Sequence, residues 1–120
     1  MLIKYAASKG IETANIVRRT EQVTLLKSIG AKIVINSSDD DWEKQLASVL
    51  AEFGPTAFYD AIGGEITGKT LSCLPAGSIH LMYGLLSGKK DSTINVDELM
   101  SLNKQVRGYQ LIGWQMTKTK

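Results

Sequence analysis

Cysteine, histidine and proline are scarce in this chain, and each scarcity closes off some chemistry. The lone cysteine, Cys73, has no partner for an internal disulfide, which suits a reducing compartment. Together with the lone histidine, His80, it falls short of the four closely spaced ligands of a structural zinc site. The two prolines, Pro55 and Pro75, act as helix stops. Long apolar runs are missing too, since none reaches the ~18 residues that span a bilayer. The N-terminus has no signal-peptide layout, and the expected location is cytoplasmic. No charge dominates: 14 basic residues stand against 12 acidic ones, without a basic block except the final KTK. This balance argues against nucleic acid and membrane as partners.

What the sequence does contain is an alternation of two patterns over 120 residues, enough for one domain (1–120) and too few for two. The expected strands are β-branched or apolar runs at 13–18 (TANIVR), 32–36 (KIVIN), 56–62 (TAFYDAI), 78–83 (SIHLMY) and 109–114 (YQLIGW). Between them, TEQVTLLKSIG offers Thr20 as N-cap, a stripe of Val23, Leu26 and Ile29, and a terminating Gly30. DDWEKQLASVLAEFGP repeats this plan with an aspartate cap and with Trp42, Leu46, Val49, Leu50 and Phe53 on one face. DELMSLNKQ reads as a shorter helix capped by Asp97. Apolar strands alternating with helices predict an α/β fold whose parallel sheet is covered on both faces. MLIKYAASKG reads as the second half of a helix. Either the chain is a fragment, which the missing cap favours, or the helix begins at the domain edge.

GGEITGKT, Gly63–Thr70, matches the phosphate-loop pattern G-x-x-x-x-G-K-[ST], in which backbone N–H groups, a lysine and a hydroxyl hold a nucleoside triphosphate and magnesium. The surroundings oppose it. Pro75 leaves a helix starting near Gly68 little more than one turn, and SIHLMY does not end in an acidic residue for the magnesium. A helix starting near Gly64 instead runs to Leu74 with Ile66, Thr70, Leu71 and Leu74 inward and Lys69 outward. Gly68 is then a tolerated interior glycine costing ~1 kcal/mol relative to alanine. A phosphate-loop nucleotide-binding protein stays as the alternative reading.

Four segments in order, GIETANIVRRTEQVTLLKSIGAKIVIN, FYDAIGG, TLSCLPAGSIHLMYG and VRGYQLIGW, resemble the nucleotide-binding domain of the medium-chain dehydrogenase/reductase superfamily, nearest its quinone oxidoreductase and enoyl reductase branches. The resemblance runs from Met1 to about Trp114. It implies a Rossmann-like, doubly wound parallel sheet without its first strand and glycine fingerprint, which are expected before Met1 with the substrate-binding domain. It also implies an enzyme that transfers hydride from NADPH to a quinone, enone, enoyl thioester or carbonyl substrate, with this fragment inactive by itself.

The same resemblance gives IVRR a role that charge can check. At the end of the second Rossmann strand a carboxylate accepts from the NAD ribose, whereas arginine accommodates the 2′-phosphate of NADP. Here stand Arg18 and Arg19, with no acidic residue before Glu21, so NADPH is the expected cofactor. A merely solvated strand end is the plain alternative. Asn36 and Ser37 fall near the expected adenine edge. Gly63 and Gly64 occupy the turn expected beside the nicotinamide ribose and pyrophosphate, where glycine lets a ligand approach the backbone. Tyr83, Gly84 and Leu85 lie where family members offer backbone groups to the nicotinamide carboxamide. Ordinary turn chemistry is the plain alternative for these residues.

No catalytic or metal-ligating residue is expected. His80 reads as a hydrogen-bonded structural or surface histidine, Cys73 as core, and Asp39, Asp40 and Asp41 as helix-capping acids. Any zinc would belong to the missing domain. In the family the last strand pairs with its copy, and YQLIGW is apolar enough to make a free edge hazardous. A homodimer through Tyr109–Trp114 is therefore expected, and a non-catalytic dimerising module is a further alternative.

Overall fold

The computed structural model describes residues 1–118, so the end of the KTK tail lies outside the described residues. The chain divides into two compact units, Met1–Val49 and Leu50–Lys120. Each is built from parallel strands joined by helical crossovers, the connection that parallel pairing demands.

In the first unit, helix α1 (Leu2–Ser8) precedes strand β1 (Ala14–Val17), helix α2 (Thr20–Ser28), strand β2 (Ile33–Asn36) and most of helix α3 (Trp42–Phe53). β1 and β2 pair from Ala14↔Ile33 to Val17↔Asn36. The Asn15 side-chain amide ties them again by donating to Ile33 O at 3.1 Å. Thr20 is not the cap of α2: Arg19 holds that position in extended conformation. The N–H groups of Arg18 and Arg19 both donate to Gln22 Oε1, at 3.1 and 3.0 Å. A glutamine reaching back over the first turn lets a residue without a capping side chain start the helix. Of the face predicted for α3, Trp42, Leu46 and Leu50 are buried, whereas Phe53 is half exposed.

The second unit takes in the end of α3, then β3 (Ala57–Asp60), α4 (Glu65–Cys73), β4 (Ile79–Met82), α5 (Val96–Ser101), β5 (Gln105–Gly108) and α6 (Leu111–Lys118). β4 is central, paired with β3 from Ala57↔Ile79 to Asp60↔Met82 and with β5 from Ile79↔Gln105 to Met82↔Gly108. The strand expected at Tyr109–Trp114 is therefore misplaced. The ladder runs over QVRG, all of it exposed, and from Leu111 the chain is helical. Main-chain groups form a ladder whatever side chains they carry, and a short apolar run suits a helix as well as a strand. Asp97 is not the cap of α5 either. Asn95 is, its Oδ1 accepting from Glu98 N at 3.3 Å, which leaves Asp97 in the first turn.

This unit has a polar core for its size: beside Leu71 and Leu74 it buries Asp60, Thr67, Thr70, Ser78, His80 and Lys104. Buried polar groups ordinarily need partners. The Lys104 ammonium finds them at the C-terminal end of α4, donating to Leu71 O at 2.9 Å and Ser72 O at 3.3 Å, with Glu98 Oε2 at 3.5 Å. A cation there also complements the negative end of the helix dipole.

Candidate functional site

In a parallel sheet the strands end at the same edge, so the residues following them are brought together. In the first unit this edge carries Arg18, Arg19, Asn36 and Ser37. Ser37 N donates to Val17 O at 2.7 Å, Ser38 Oγ donates to Arg18 O at 2.6 Å, and Ser38 N donates to Asn36 Oδ1 at 3.0 Å. Both arginines are exposed, on a main chain held from one side by Gln22 and from the other by Ser38. Sequence reasoning missed Gln22 and Ser38. Their signal was the reach of a third-position glutamine and a Ser-Ser pair at a strand end.

The matching edge of the second unit gathers Gly63, Gly64, Tyr83, Gly84 and Leu85. Tyr83 N donates to Asp60 O at 2.9 Å, Leu86 N to Ala61 O at 3.0 Å and Ser87 N to Ile62 O at 2.9 Å. Gly63 and Gly64 have φ of 70° and 75°, left-handed values that favour glycine. A Cβ on Gly84 would lie 2.7 Å from Ala61 O. Gly63 and Gly64 are buried, and what lies against them is the chain's own segment from Leu85 to Lys89. The exposed large apolar side chains at this edge are Ile62, Tyr83, Leu85 and Leu86. Across the rim, Lys89 Nζ donates to Glu65 Oε1 at 2.8 Å, and that bond with the lysine charge holds the Glu65 carboxyl below its ordinary range.

Beneath the turn lies a buried carboxylate. Asp60 Oδ1 accepts from Ile62 N at 2.8 Å and Gly63 N at 2.9 Å, while Oδ2 accepts from Thr67 Oγ1 at 2.7 Å and lies 3.0 Å from His80 Nε2. Burial acts to raise the Asp60 pKa. The bonds from His80, Gly63, Thr67 and Ile62 outweigh it and keep the carboxyl ionised well below the usual carboxylate range. Of the structural and surface roles that the sequence left open for His80, the buried, hydrogen-bonded one is found. Its partner was not foreseen, because strand register brings together residues 20 apart.

GGEITGKT is not built as a phosphate loop. α4 begins at Glu65 with Gly64 at its cap, so Gly68, Lys69 and Thr70 lie inside the helix rather than ahead of it. The buried Thr70 hydroxyl donates to Ile66 O at 2.8 Å and Thr67 O at 3.1 Å, turned away from any phosphate. Gly68 is more than tolerated, since a Cβ there would collide with the Thr93 carbonyl oxygen.

Parallel crossovers that gather arginines, glycines and backbone groups at strand ends define an α/β chain of Rossmann-like construction. This chain belongs to the zinc-binding dehydrogenase family, whose profile matches residues 1–119. It is 25% identical over 99 residues to the 2-haloacrylate reductase of a Burkholderia species, covering 82% of this chain and 30% of that protein. Its structure is similar to that of a Mesorhizobium loti protein provisionally described as an NADPH:quinone reductase, with a TM-score of 0.84, 29% identity, and coverage of 97% of this chain and 34% of that one. It is similar in fold to Etr1p, a 2-enoyl thioester reductase of Candida tropicalis, in complex with NADP and crotonyl-CoA. There the TM-score is 0.73 at 18% identity, covering 91% of this chain and 32% of that one. The chain thus spans about a third of the length of these relatives.

The family's name implies zinc, and the residues of this chain do not fit it. Among the described residues no three His, Cys, Asp or Glu side chains are grouped to hold a metal ion, and His80 is engaged by Asp60. No helix of the described residues is long and apolar enough to cross a membrane.

Proposed function

We propose that this chain is the cofactor-binding part of an oxidoreductase that transfers hydride from NADPH to a quinone, enone, enoyl thioester or carbonyl compound. The observation that carries the reading is the exposed Arg18–Arg19 pair at the end of β1, beside Asn36, Ser37 and Ser38 and with no carboxylate ahead of Glu21. Guanidinium forks match a phosphate, and a carboxylate at this point would repel it. NADP(H) in the names of the similar structures supports the same choice. Arg18 and Arg19 would hold the 2′-phosphate and Asn36 and Ser37 the adenine edge. Tyr83, Gly84 and Leu85, at the edge that also holds Gly63 and Gly64, would offer main-chain groups to the carboxamide.

The hydride is the cofactor's chemistry, and this chain's part is to hold and orient it. We assign no catalytic acid or base to this chain and read it as inactive by itself. We read its address as cytoplasmic, in keeping with a single cysteine in the sequence. We also read a second copy as its partner. β5 has one neighbour among the described strands, and beyond it Leu111, Ile112 and Met116 are 55%, 66% and 73% exposed. An open edge followed by an apolar helix invites pairing.

Calorimetric titration of the purified chain with NADPH, NADH and magnesium ATP at low salt tests the cofactor reading. A clear preference for NADPH over NADH supports it. Equal binding of the two removes the arginines' role, and tighter binding of magnesium ATP overturns the reading in favour of a triphosphate site.

A further inference from the structure

The Asp60 carboxylate is fully used, with two donors on each oxygen. An ionised carboxylate only accepts, so the hydrogen of the His80 contact sits on Nε2. His80 Nδ1 is buried and has no partner among the described residues. Among the described residues the imidazole's one hydrogen-bonding contact is the bond to Asp60. Phe58, its register partner on β3, holds the ring in place at 4.8 Å between centroids.

The effect of that one bond reaches both strand-end loops. Asp60 sets the amides of Ile62 and Gly63, and the carbonyls of Ala61 and Ile62 in turn receive the amides of Leu86 and Ser87. Because a Cβ on Gly84 would already touch Ala61 O, the two loops have no slack between their main chains. An apolar residue at position 80 would leave Asp60 Oδ2 short of a donor where no water reaches.

We propose that His80 is a positioning residue, whose Nε2–H bond to Asp60 fixes the Ala61–Gly64 turn and, through that turn's carbonyls, the Tyr83–Ser87 segment that receives the nicotinamide end of the cofactor. The cofactor half of this statement rests on the proposed function above; the coupling of the two loops does not.

Two substitutions separate the bond from the bulk. In His80→Gln the side-chain amide places an N–H donor near the position of Nε2, whereas His80→Phe keeps a ring and removes the donor. Amide hydrogen exchange is read at Ile62, Gly63, Leu86 and Ser87, with the β1–β2 and β4–β5 ladder amides as references. His80→Phe is expected to speed exchange at least about tenfold at those four amides and leave the references unchanged, and His80→Gln to stay within about threefold of wild type. Unchanged Leu86 and Ser87 amides in His80→Phe, or an equal rise along the β4–β5 ladder, overturns the proposal. The wild type gives a check that requires no substitution. His80 is the chain's only histidine, so its imidazole nitrogen spectrum is unambiguous, and a hydrogen found on Nδ1 instead of Nε2 also overturns the proposal.

NADPH titration supplies the cofactor arm. Affinity is expected to fall about tenfold in His80→Phe and to be restored in His80→Gln. Exchange behaving as stated while NADPH binds His80→Phe as tightly as wild type overturns the cofactor half alone. Failure of NADPH to bind wild type overturns the proposed function, and the exchange pattern still decides the coupling of the loops.

Discussion

Gly68 of α4 faces the main-chain carbonyl of Thr93, and the two approach so closely that a side chain on residue 68 would overlap the oxygen. Helix propensity favours alanine at an interior position by ~1 kcal/mol. Gly68→Ala is nevertheless expected to destabilise the chain by about 1–3 kcal/mol, because the obstacle is main chain that has no rotamer to escape into. Urea unfolding compares the two proteins. A more stable variant would show that the Thr93 segment moves aside at little cost.

Asp60 predicts the acid limit of stability. A carboxyl whose pKa is depressed by folding adds stability above its unfolded pKa, near 4, and that contribution is lost as the pH falls below it. Stability owed to this group is expected to be level between pH 5 and pH 7 and to decline below about pH 4. Asp60→Asn should flatten that decline while lowering stability at pH 7 by about 2–4 kcal/mol, since a buried acceptor network loses its charge. Glu65 is depressed in the same direction but is exposed, so salt screens its share. An acid limb that persists in Asp60→Asn at high salt would place the acid sensitivity elsewhere.

Lys104 is a buried cation serving main-chain carbonyls. Lys104→Met keeps the apolar stem and removes the donors to Leu71 O and Ser72 O, and it leaves the Glu98 carboxylate with the Asn95 side-chain amide but without the lysine charge. A loss of about 1–3 kcal/mol is expected from thermal unfolding. Equal stability would mean that water takes over the α4 carbonyls.

The arginine pair predicts a selective change in binding. Arg18→Ala and Arg19→Ala are each expected to weaken NADPH by about tenfold or more, the size of a charge-assisted hydrogen bond to phosphate, and to leave NADH unchanged. The gap should narrow as salt rises. Equal losses for both cofactors in paired titrations would assign the arginines to the fold and not to the 2′-phosphate.

Much of this architecture was legible in the residue pattern. Four of the five strands lie within the runs expected for them, α2 to α4 occupy the segments predicted as helical, and α5 covers the first part of its segment, whose last residue, Gln105, begins β5. These features are local: a β-branched run, a 3.6-residue stripe and a glycine or proline stop act over one or two turns of chain. The misassigned cases had competing local signals. Thr20 and Asp97 are good caps by type, but Gln22 and Asn95 were better placed. The β5 segment, QVRG, has no apolar signature because it is exposed, and its pairing with β4 alone makes it a strand.

The sequence by itself determined the α/β class, the parallel order of strands and helices, and the arginines at the end of β1, since all of these follow from neighbours along the chain. Only the tertiary structure decided that Asp60 meets His80, that Gly68 makes room for Thr93, and that GKT lies within a helix. The reason is physical. A hydrogen bond or a close approach between residues 20 or more apart depends on strand register and on the path of the returning loop, and these are set by packing the whole unit at once.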